Sequence, residues 1–323
     1  TSVPTTNLSN NLGGRVSGIL SKQGSGEPGV DGSNIYIRGI STIGSTQPLI
    51  VVDGVPRDFQ NLDPNSIESF TVLKDAAAVA PYGVAGANGV ILVTTKEGHR
   101  GETKINYNGY VGFQNPTKLP DLVNGYQYAL LKNLAAENVG LPKPWSDDAL
   151  QKFKDGTDPD RYPPYYDVWG DLMTKNALLT SHNVDVSGGT NSFKYYLNLG
   201  YQNQKGMWPS TFSKRYNFTL GIDGDITPTT NLSVKVIGIN KFSTYPPTDV
   251  DGSMSSSTTR VFELIKYAHP DFGPLFFSNG MYGAPAAAAI FNSGHRDLNS
   301  TSIYSQLNLT QKIPFVEGLK LTG

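Results

Sequence analysis

Long stretches in the second two-thirds of the chain alternate between apolar and polar residues. Between residues 194 and 202, every second side chain is apolar, namely Tyr195, Leu197, Leu199 and Tyr201. A period of two is typical of β-strands with one apolar and one polar face. The same alternation occurs at 104–114 and 215–223, and more weakly at 180–186 and 232–236. We therefore predict roughly seven strands after residue 100.

The first hundred residues follow a different pattern, with short apolar segments separated by glycine. Strands are predicted at 35–39, 48–54 and 90–95, and an Ala-rich helix of one or two turns at 75–80. Residues 66–74 begin with a helix-capping pattern at Ser66. We expect a small α+β domain over residues 1–100 and a separate, strand-rich domain over residues 101–323.

Period-two strands occur both in soluble β-sandwiches and in transmembrane β-barrels, and the periodicity leaves both possibilities open. Barrel strands need about 9–11 residues, aromatic side chains near their ends, and long loops alternating with short turns. The segments here reach that length. Two long interruptions, 115–177 and 244–298, alternate with turn-like segments at 187–191 and 225–230, and a helix is predicted over 125–139. Aromatic residues lie near the strand ends at Tyr107, Phe113, Tyr195, Tyr201 and Tyr216.

Composition and charge exclude several classes of function. Lys plus Arg is 26 and Asp plus Glu is 27, so the chain lacks the basic excess of a nucleic-acid-binding protein. With no cysteine, it has no disulfide, thiolate zinc site or cysteine nucleophile. The four histidines are scattered without metal-ligand spacing, and no serine-nucleophile motif is present. We predict no catalytic residue, no metal site and no cofactor.

Five motifs follow one another between residues 14 and 91. They are Gly14-Arg15-Val16-Ser17-Gly18-Ile19, Ile35-Tyr36-Ile37-Arg38-Gly39, Pro48-Leu49-Ile50-Val51-Val52-Asp53-Gly54-Val55-Pro56, Ile67-Glu68-Ser69-Phe70-Thr71-Val72-Leu73-Lys74-Asp75-Ala76 and Tyr82-Gly83-Val84-Ala85-Gly86-Ala87-Asn88-Gly89-Val90-Ile91. In this order and spacing they resemble the plug domain of TonB-dependent outer-membrane transporters, and their form resembles the SusC/RagA branch in particular.

The resemblance implies an α+β plug domain inside a large antiparallel transmembrane β-barrel of about 22 strands, of which this chain holds the plug and the first strands. It implies TonB-dependent import across the bacterial outer membrane, with oligosaccharides the first expected ligand and peptides the next. The implied partners are a SusD-like surface lipoprotein, the TonB–ExbB–ExbD complex, outer-membrane lipid and a second copy of the transporter pair. A TonB box is missing from residues 1–10, and we expect the signal peptide to have been removed. A secreted β-sandwich that binds or hydrolyses glycans is the alternative.

Structural or gating roles are expected for the plug-motif residues. They are Arg15, Arg38, Gly39, Asp53, Gly54, Lys74, Asp75, Tyr82, Gly83, Gly86, Asn88 and Gly89. Arg15 and Arg38 are candidates for ion pairs with plug or barrel-wall carboxylates. Asp53 is expected to be a turn residue, Lys74 and Asp75 a local pair that caps the Ala-rich helix, and the glycines turn or close-packing positions.

Four aromatic residues in predicted loops are candidates for stacking on a sugar ring or a peptide side chain. They are Tyr165, Tyr166, Trp169 and Trp208. Packing within the loops is the alternative role for these side chains.

Overall fold

The computed structural model describes residues 6–39, 46–164, 168–246, 257–266, 271, 273–292, 294–316 and 318–323. Within these ranges, the N-terminal third forms a two-stranded hairpin and a four-stranded sheet. The hairpin pairs β1 (Ile19–Gln23) with β2 (Ser33–Ile37). The sheet contains β3 (Leu49–Val52), β4 (Val55–Pro56), β5 (Ile67–Leu73) and β6 (Val90–Thr95) in the order β4-β3-β6-β5. Strands β3 and β6 run parallel, and the other neighbours are antiparallel.

Helical segments connect these strands. The short helix α1 (Ala76–Val79) confirms the helix predicted at 75–80, and 3-10 helices span Leu8–Asn11, Pro64–Ser66 and Ala80–Gly86. The apolar segments of this region meet in one core, in which Val52, Phe59 and Ile91 are fully buried and to which Ile237 and Ile239, from a later strand, also belong. We refer to this N-terminal unit, residues 6–95, as the plug unit.

The helix start predicted at Ser66 is wrong. Residues 67–73 form strand β5, and Ser66 donates its hydroxyl hydrogen bond to the Asp63 carbonyl 2.8 Å away at the end of a 3-10 helix. Phe70 and Val72 pack against the core beside β6. Burial of these β-branched and aromatic side chains in the sheet outweighs the local capping pattern.

In the described part of the chain, seven antiparallel strands after residue 100 form one large sheet in which chain neighbours pair. We call it the wall sheet. Its edges are β7 and β13, so the barrel is not closed by these strands. The strands are β7 (Gly101–Gln114), β8 (Ala177–Gly189), β9 (Phe193–Lys205), β10 (Phe212–Thr227), β11 (Thr230–Tyr245), β12 (Arg296–Lys312) and β13 (Lys320–Thr322).

The wall sheet has the reverse of the usual burial pattern, because its polar face is covered and much of its apolar face is exposed. The buried polar side chains are Asn183, Asp185, Asn198, Gln202, Gln204, Ser213, Arg215, Asn217, Thr219 and Ser243. The exposed apolar side chains include Ile105, Val111, Phe113, Leu199, Phe218, Ile303, Leu307 and Leu309. The predicted alternation in 194–202 is confirmed, and the polar face is the one that covers the plug unit.

The long connections between strands leave one end of the wall sheet, which we call the long-loop end. The short turns leave the opposite end. Turns of a few residues join β8 to β9 and β10 to β11, as predicted. At the other end, helices α2 (Gly125–Asn138), α3 (Asp147–Asp155) and α4 (Val168–Leu172) lie between β7 and β8, and α5 (Ser257–Lys266) and α6 (Pro285–Phe291) lie between β11 and β12. Helix α2, predicted over 125–139, begins with a capping box formed by Asn124 and Gln127. No helix of the described residues is long and apolar enough to cross a membrane.

Candidate functional site

Four hydrogen bonds across the interface between the plug unit and the wall sheet run from wall side chains to plug backbone carbonyls. The donor–acceptor distances lie between 2.8 and 3.0 Å: Arg215 to Thr6, Asn217 to Asn61, Lys241 to Gly29, and Tyr245 to Pro28. Such contacts are exchangeable for hydrogen bonds to water. Beside them, Ile237 and Ile239 of β11 are buried against the apolar core of the plug unit, so separation of the two units also exposes apolar surface.

A cluster of buried charges centred on Asp53 lies in this interface. Asp53 accepts hydrogen bonds from the Thr95 backbone N–H at 2.9 Å and from the Thr95 hydroxyl at 2.7 Å. Its carboxylate also lies 3.5 Å from the Arg57 guanidinium and 3.3 Å from the Lys235 amine of β11. The side chains of Asp53, Arg57 and Lys235 are only 7%, 9% and 12% exposed. Asp53 therefore joins the plug unit to the wall.

Arg57 makes a second contact with the wall from the same cluster. Its guanidinium carbon lies 4.9 Å from the centre of the Tyr304 ring of β12, a cation–π geometry. Burial lowers the pKa of the Arg57 guanidinium, while nearby Asp53 and Tyr304 oppose that shift. An arginine remains charged at neutral pH after such a shift, so the cluster holds two cations around one carboxylate.

A second buried carboxylate, Asp63, also joins the two units. One of its oxygens accepts from the Asn65 backbone N–H at 2.8 Å and caps the 3-10 helix that follows. The other oxygen accepts from the Asn183 side chain of β8 at 2.7 Å, and Asn183 in turn accepts from Asn198 of β9 at 3.0 Å. Opposite Asp63, Gly200 provides the space, since a Cβ there would collide with the carboxylate.

Sequence reasoning placed Asp53 in a turn, and the structure agrees. It missed the contacts of Asp53 with Thr95 and Lys235, and it missed Asp63. The Asp-Pro-Asn-Ser sequence at 63–66 is a capping signal that could have identified Asp63 as a helix-end residue. No local signal indicates Lys235, because it lies far along the chain from Asp53 and on a different sheet.

Arg38 forms an ion pair with a carboxylate of the plug unit. This is one of the two kinds of partner predicted for it, the other being a carboxylate of the barrel wall. Its guanidinium lies 2.7 Å from Asp75, and both side chains are more than half exposed. An ion pair this exposed contributes about 0–1 kcal/mol. Asp75 therefore does not form the predicted pair with Lys74, and its side chain makes no capping hydrogen bond to α1. Arg15 is exposed and makes no ion pair with any residue that the structure describes.

Most of the motif glycines adopt backbone conformations that other residues avoid. Gly39, Gly54, Gly83 and Gly89 have positive φ, as the turn prediction requires. Gly89 is the most constrained, because a Cβ there would also lie 2.7 Å from the Ile37 side chain.

The remaining motif residues have other backbone or packing roles. Gly86 has no positive φ, but a Cβ there would lie 3.1 Å from that of Tyr82. The half-buried Asn88 donates to the Gln47 carbonyl at 3.5 Å.

The candidate stacking aromatics are mostly committed to contacts within the loops. Trp208 is 3% exposed and packs in a cluster with α4, α5 and α6, so in this structure its ring offers no face to a ligand. Trp169 packs against Phe262 and donates its indole N–H to the Pro120 carbonyl at 2.9 Å. Tyr165 and Tyr166 lie outside the described residues.

Two loop systems contact each other at the long-loop end. Asp160 accepts hydrogen bonds from the backbone and hydroxyl of Ser278, and Lys132 and Tyr128 of α2 both bind Asp271. Among the described residues, no group of three or more acidic or histidine side chains has the arrangement of a metal site. The loop carboxylates therefore serve loop-to-loop contacts.

Comparison with known proteins agrees with this architecture. Residues 1–90 match the family model of the TonB-dependent Receptor Plug Domain. The chain is 32% identical over 231 residues to the TonB-dependent receptor SusC of Bacteroides thetaiotaomicron, covering 68% of this chain and 21% of SusC. It is 33% identical over 264 residues to the TonB-dependent receptor P39 of Formosa agariphila, covering 80% of this chain and 23% of P39.

Solved structures show the same fold. The RagAB peptide transporter matches over 99% of this chain and 39% of its own, with a TM-score of 0.72 and 25% identity. Against the curated relatives, the chain spans about a fifth of their length.

A hydrogen-bonded plug unit covered by the polar face of a meandering sheet defines the class of TonB-dependent receptors. Within it, the chain belongs to the SusC/RagA type, whose N-terminal region it matches in sequence and fold. Members of this family are outer-membrane transport proteins and not enzymes.

Proposed function

We propose that this chain forms the gate and the first part of the wall of a TonB-dependent importer in the bacterial outer membrane. The observation that carries the proposal is the reversed polarity of the wall sheet. An exposed apolar face suits contact with lipid, and a buried polar face suits a hydrated lumen that holds a movable plug. In this proposal residues 1–100 are the plug domain and residues 101–323 the first strands and loops of the barrel.

The contacts between plug and wall give the gate its mechanism. Force on the N-terminal segment, supplied through TonB–ExbB–ExbD, would act first on the plug unit. The Asp53–Lys235 ion pair and the Asp63–Asn183 hydrogen bond are the contacts that must then break. The hydrogen bonds to plug carbonyls would be replaced by bonds to water, and the apolar contact of Ile237 and Ile239 with the plug core would be lost.

The proposed cargo is an oligosaccharide, presented by a SusD-like lipoprotein at the long-loop end of the wall. The resemblance to the SusC/RagA branch supports this assignment. A peptide is the second candidate, supported by the similarity to RagAB, which is described as a peptide importer. The α2–α6 loop region is the proposed docking surface for the lipoprotein, and pairing of two transporters is part of the same proposal.

The experiment compares uptake of fluorescent oligosaccharides and of fluorescent peptides in three strains. One carries the full-length receptor that contains this chain, one lacks it, and one has the receptor but lacks TonB. We expect uptake of one ligand class to require both the receptor and TonB. Equal uptake of both classes in all three strains would contradict import by this receptor.

A secreted glycan-binding or glycan-hydrolysing β-sandwich is disfavoured by the same observation. A soluble sandwich buries its apolar face between two sheets, whereas Ile303, Leu307 and Val111 are each more than 60% exposed. Fractionation of cells separates the two proposals, because an importer is recovered in detergent extracts of the outer membrane and a sandwich in the medium.

A further inference from the structure

Thr6 of the plug unit lies between two oppositely charged side chains. Its hydroxyl donates a hydrogen bond to the Asp31 carboxylate, which also belongs to the plug unit. Its backbone carbonyl accepts a hydrogen bond of 3.0 Å from the Arg215 guanidinium of β10 in the wall sheet. All three residues are more than nine-tenths buried. One neutral residue therefore separates a buried anion in the plug unit from a buried cation in the wall.

Neither charge has a counter-ion among the residues that the structure describes. Arg215 also donates from Nε to the Asn217 side chain at 3.1 Å, and its Nη2 makes no hydrogen bond to a described residue. On Asp31, Oδ2 accepts from Thr6 and from Gln204 of β9 at 3.3 Å, whereas Oδ1 accepts from no described group. A buried charge without a partner of opposite sign is costly. The unused donor and the unused acceptor are complementary, and Thr6 is bonded to both side chains.

Asp63 is the other carboxylate near Arg215. Its two oxygens are already occupied, Oδ1 by the backbone N–H of Asn65 at 2.8 Å and Oδ2 by the Asn183 side chain at 2.7 Å. Asp31 keeps one oxygen available. It is therefore the carboxylate that can accept the guanidinium without losing another hydrogen bond.

The turn that leads to Asp31, residues 28–31, is held on the wall by contacts that do not involve Thr6. Tyr245 and Lys241 of β11 donate hydrogen bonds to the carbonyls of residues 28 and 29, at 2.9 and 2.8 Å. Lys241 pairs directly with Arg215 in the wall sheet. These bonds therefore keep the turn, and with it Asp31, next to the guanidinium.

Residues 6–10, which we call segment 6–10, are joined to the rest of the plug unit by side-chain hydrogen bonds. Ser9 accepts from the Ser33 backbone N–H at 2.7 Å, and Asn10 accepts from the Ser33 hydroxyl at 2.7 Å and donates to the Asp31 carbonyl at 2.9 Å. In the described part of the chain, no β-sheet includes this segment, so it can be withdrawn without opening a sheet. Force is needed because Leu8 must leave the plug core.

We propose that Asp31 and Arg215 form an ion pair when segment 6–10 is withdrawn from the plug unit. In the resting state Arg215 binds the Thr6 carbonyl, and in the released state it binds the Asp31 carboxylate. The new ion pair stabilises the released state and keeps the 28–31 turn on the wall, so that segment 6–10 leaves before the plug unit moves as a whole. Arg215 is thus a positioning residue of the gate. The inference rests on the proposed function in one respect, namely that force reaches segment 6–10.

Cysteine labelling of the purified full-length receptor that contains this chain tests the proposal. Ser9 is fully buried, so a maleimide reaches Ser9→Cys only after segment 6–10 has left its site. With a slow reagent, the labelling rate is proportional to the opening equilibrium of the segment. The rate is measured in four receptors that all carry Ser9→Cys: the parent, Asp31→Asn, Arg215→Gln and the double variant. The hydrogen bonds lost at Ser9 are the same in all four.

The four rates form a double-mutant cycle. The product of the parent and double-variant rates is divided by the product of the two single-variant rates, so that effects confined to one side chain cancel. Because Asp31 and Arg215 meet only in the released state, we expect this ratio to be about ten or more, equivalent to about 1.4 kcal/mol. A ratio of about one or less would overturn the proposal, since both side chains would then only hold Thr6 in the resting state.

Two further variants make the test decisive. Arg215→Met replaces Arg215→Gln if the glutamine variant does not reach the outer membrane, because an apolar side chain of similar length needs no buried partner. Lys241→Gln is the matched control, since Lys241 is the other cation near Asp31 and already binds the carbonyl of residue 29. The cycle of Asp31→Asn with Lys241→Gln should give a ratio near one. A ratio as large as the one with Arg215 would overturn the assignment of Arg215 as the partner.

Uptake by the parent receptor separates this proposal from the proposed function. Normal import together with a ratio of one overturns the ion pair alone. A ratio of about ten or more in a receptor that imports nothing supports the ion pair and contradicts the importer.

Discussion

Replacing Asp53 by asparagine tests whether the buried charge cluster holds the plug unit in the wall. Asparagine keeps the shape of the side chain and one carbonyl oxygen for the Thr95 N–H. It loses the negative charge, so that Arg57 at 3.5 Å no longer faces a carboxylate and Lys235 at 3.3 Å keeps only the carboxylate of the exposed Glu97 at 3.6 Å. The amide N–H groups of the asparagine would also point toward the N–H donors of Arg57 and Lys235.

The size of the expected loss in free energy follows from the burial of the charges around Asp53. At these separations a single charge pair is worth about 5 kcal/mol at an effective dielectric constant of 20, before the cost of desolvation is subtracted. Removing one partner from a buried pair costs about 3–5 kcal/mol, because the other charge stays buried without a partner. We expect Asp53→Asn to weaken the seating of the plug by about that amount.

Lys235→Met is the matched variant from the wall side. It removes one cation but leaves Asp53 paired with Arg57 and bonded to Thr95. Glu97, the other partner of Lys235 at 3.6 Å, is 67% exposed and remains solvated. The loss should therefore be about 1–3 kcal/mol, the size of a lost charged hydrogen bond. We therefore expect Asp53→Asn in the plug unit to weaken the interface more than Lys235→Met in the wall.

Release of the plug can be followed by cysteine labelling. The chain contains no cysteine, and Ser243 on the polar face of the wall is 2% exposed, next to Gly29 of the plug unit. In the full-length receptor, Ser243→Cys should react with a maleimide when the plug moves away. Labelling should be about 10²- to 4 × 10³-fold faster in Asp53→Asn and about 5- to 10²-fold faster in Lys235→Met. Equal rates in the two variants, or a rate in Asp53→Asn no faster than in the parent, would refute the reasoning.

Three further substitutions test the plug, the loops and the lipid-facing surface. Gly89→Ala places a Cβ at φ 91°, 2.7 Å from Ile37, and should reduce the amount of receptor found by immunoblot in the outer membrane, since the backbone alone costs about 1–2 kcal/mol. Trp208→Ala empties the core of the loop cluster at a cost of about 3–5 kcal/mol, and limited proteolysis should then cut the loops faster. Ile303→Arg puts a charge on the lipid-facing surface, which costs about 2–4 kcal/mol, and heat-modifiability on gels should show less assembled barrel.

Each of these has an internal comparison. Gly39→Ala also lies at positive φ but meets no atom of the described residues within 4 Å, so it should be milder than Gly89→Ala. Trp208→Phe keeps an aromatic ring in the loop cluster, so its loops should be cut more slowly than those of Trp208→Ala. Ile303→Leu should assemble normally. If Ile303→Arg assembled as well as Ile303→Leu, that surface would not face lipid.

Much of the fold could be predicted from the chain alone. Period-two alternation placed the wall strands, and in 194–202 it also identified Asn198 and Gln202 as one face. The alternation could not show which face is covered, because a sandwich and a barrel share it. The five ordered motifs favoured the barrel, because they resemble the plug domain of TonB-dependent transporters. The burial of the polar face of the wall sheet agrees with a barrel.

The contacts that form the site were beyond local reasoning. The local sequence indicates only that Asp53 is a turn residue beside Gly54. Its contact with Lys235 forms only because β11 packs next to the plug unit. Trp208 lies in a predicted loop, and its burial depends on α5 and α6, which come much later in the chain. The wrong helix start at Ser66 has a similar origin, because long-range pairing of β5 with β6 overrides a local capping pattern.

The central claim is that the plug unit must move against the wall for import to occur. A disulfide between the two units tests it most directly. The ideal Cβ of Gly29 lies 3.1 Å from that of Ser213, slightly less than the separation of about 3.5–4.5 Å in disulfides. Gly29 has φ 78°, so a cysteine there costs about 1–2 kcal/mol, a cost that the Gly29→Cys single variant carries as well. The Gly29→Cys, Ser213→Cys double variant of the full-length receptor should import nothing when oxidised and should recover on reduction, while each single variant imports in both states. Import by the oxidised, fully cross-linked double variant at the rate of the parent would contradict the account.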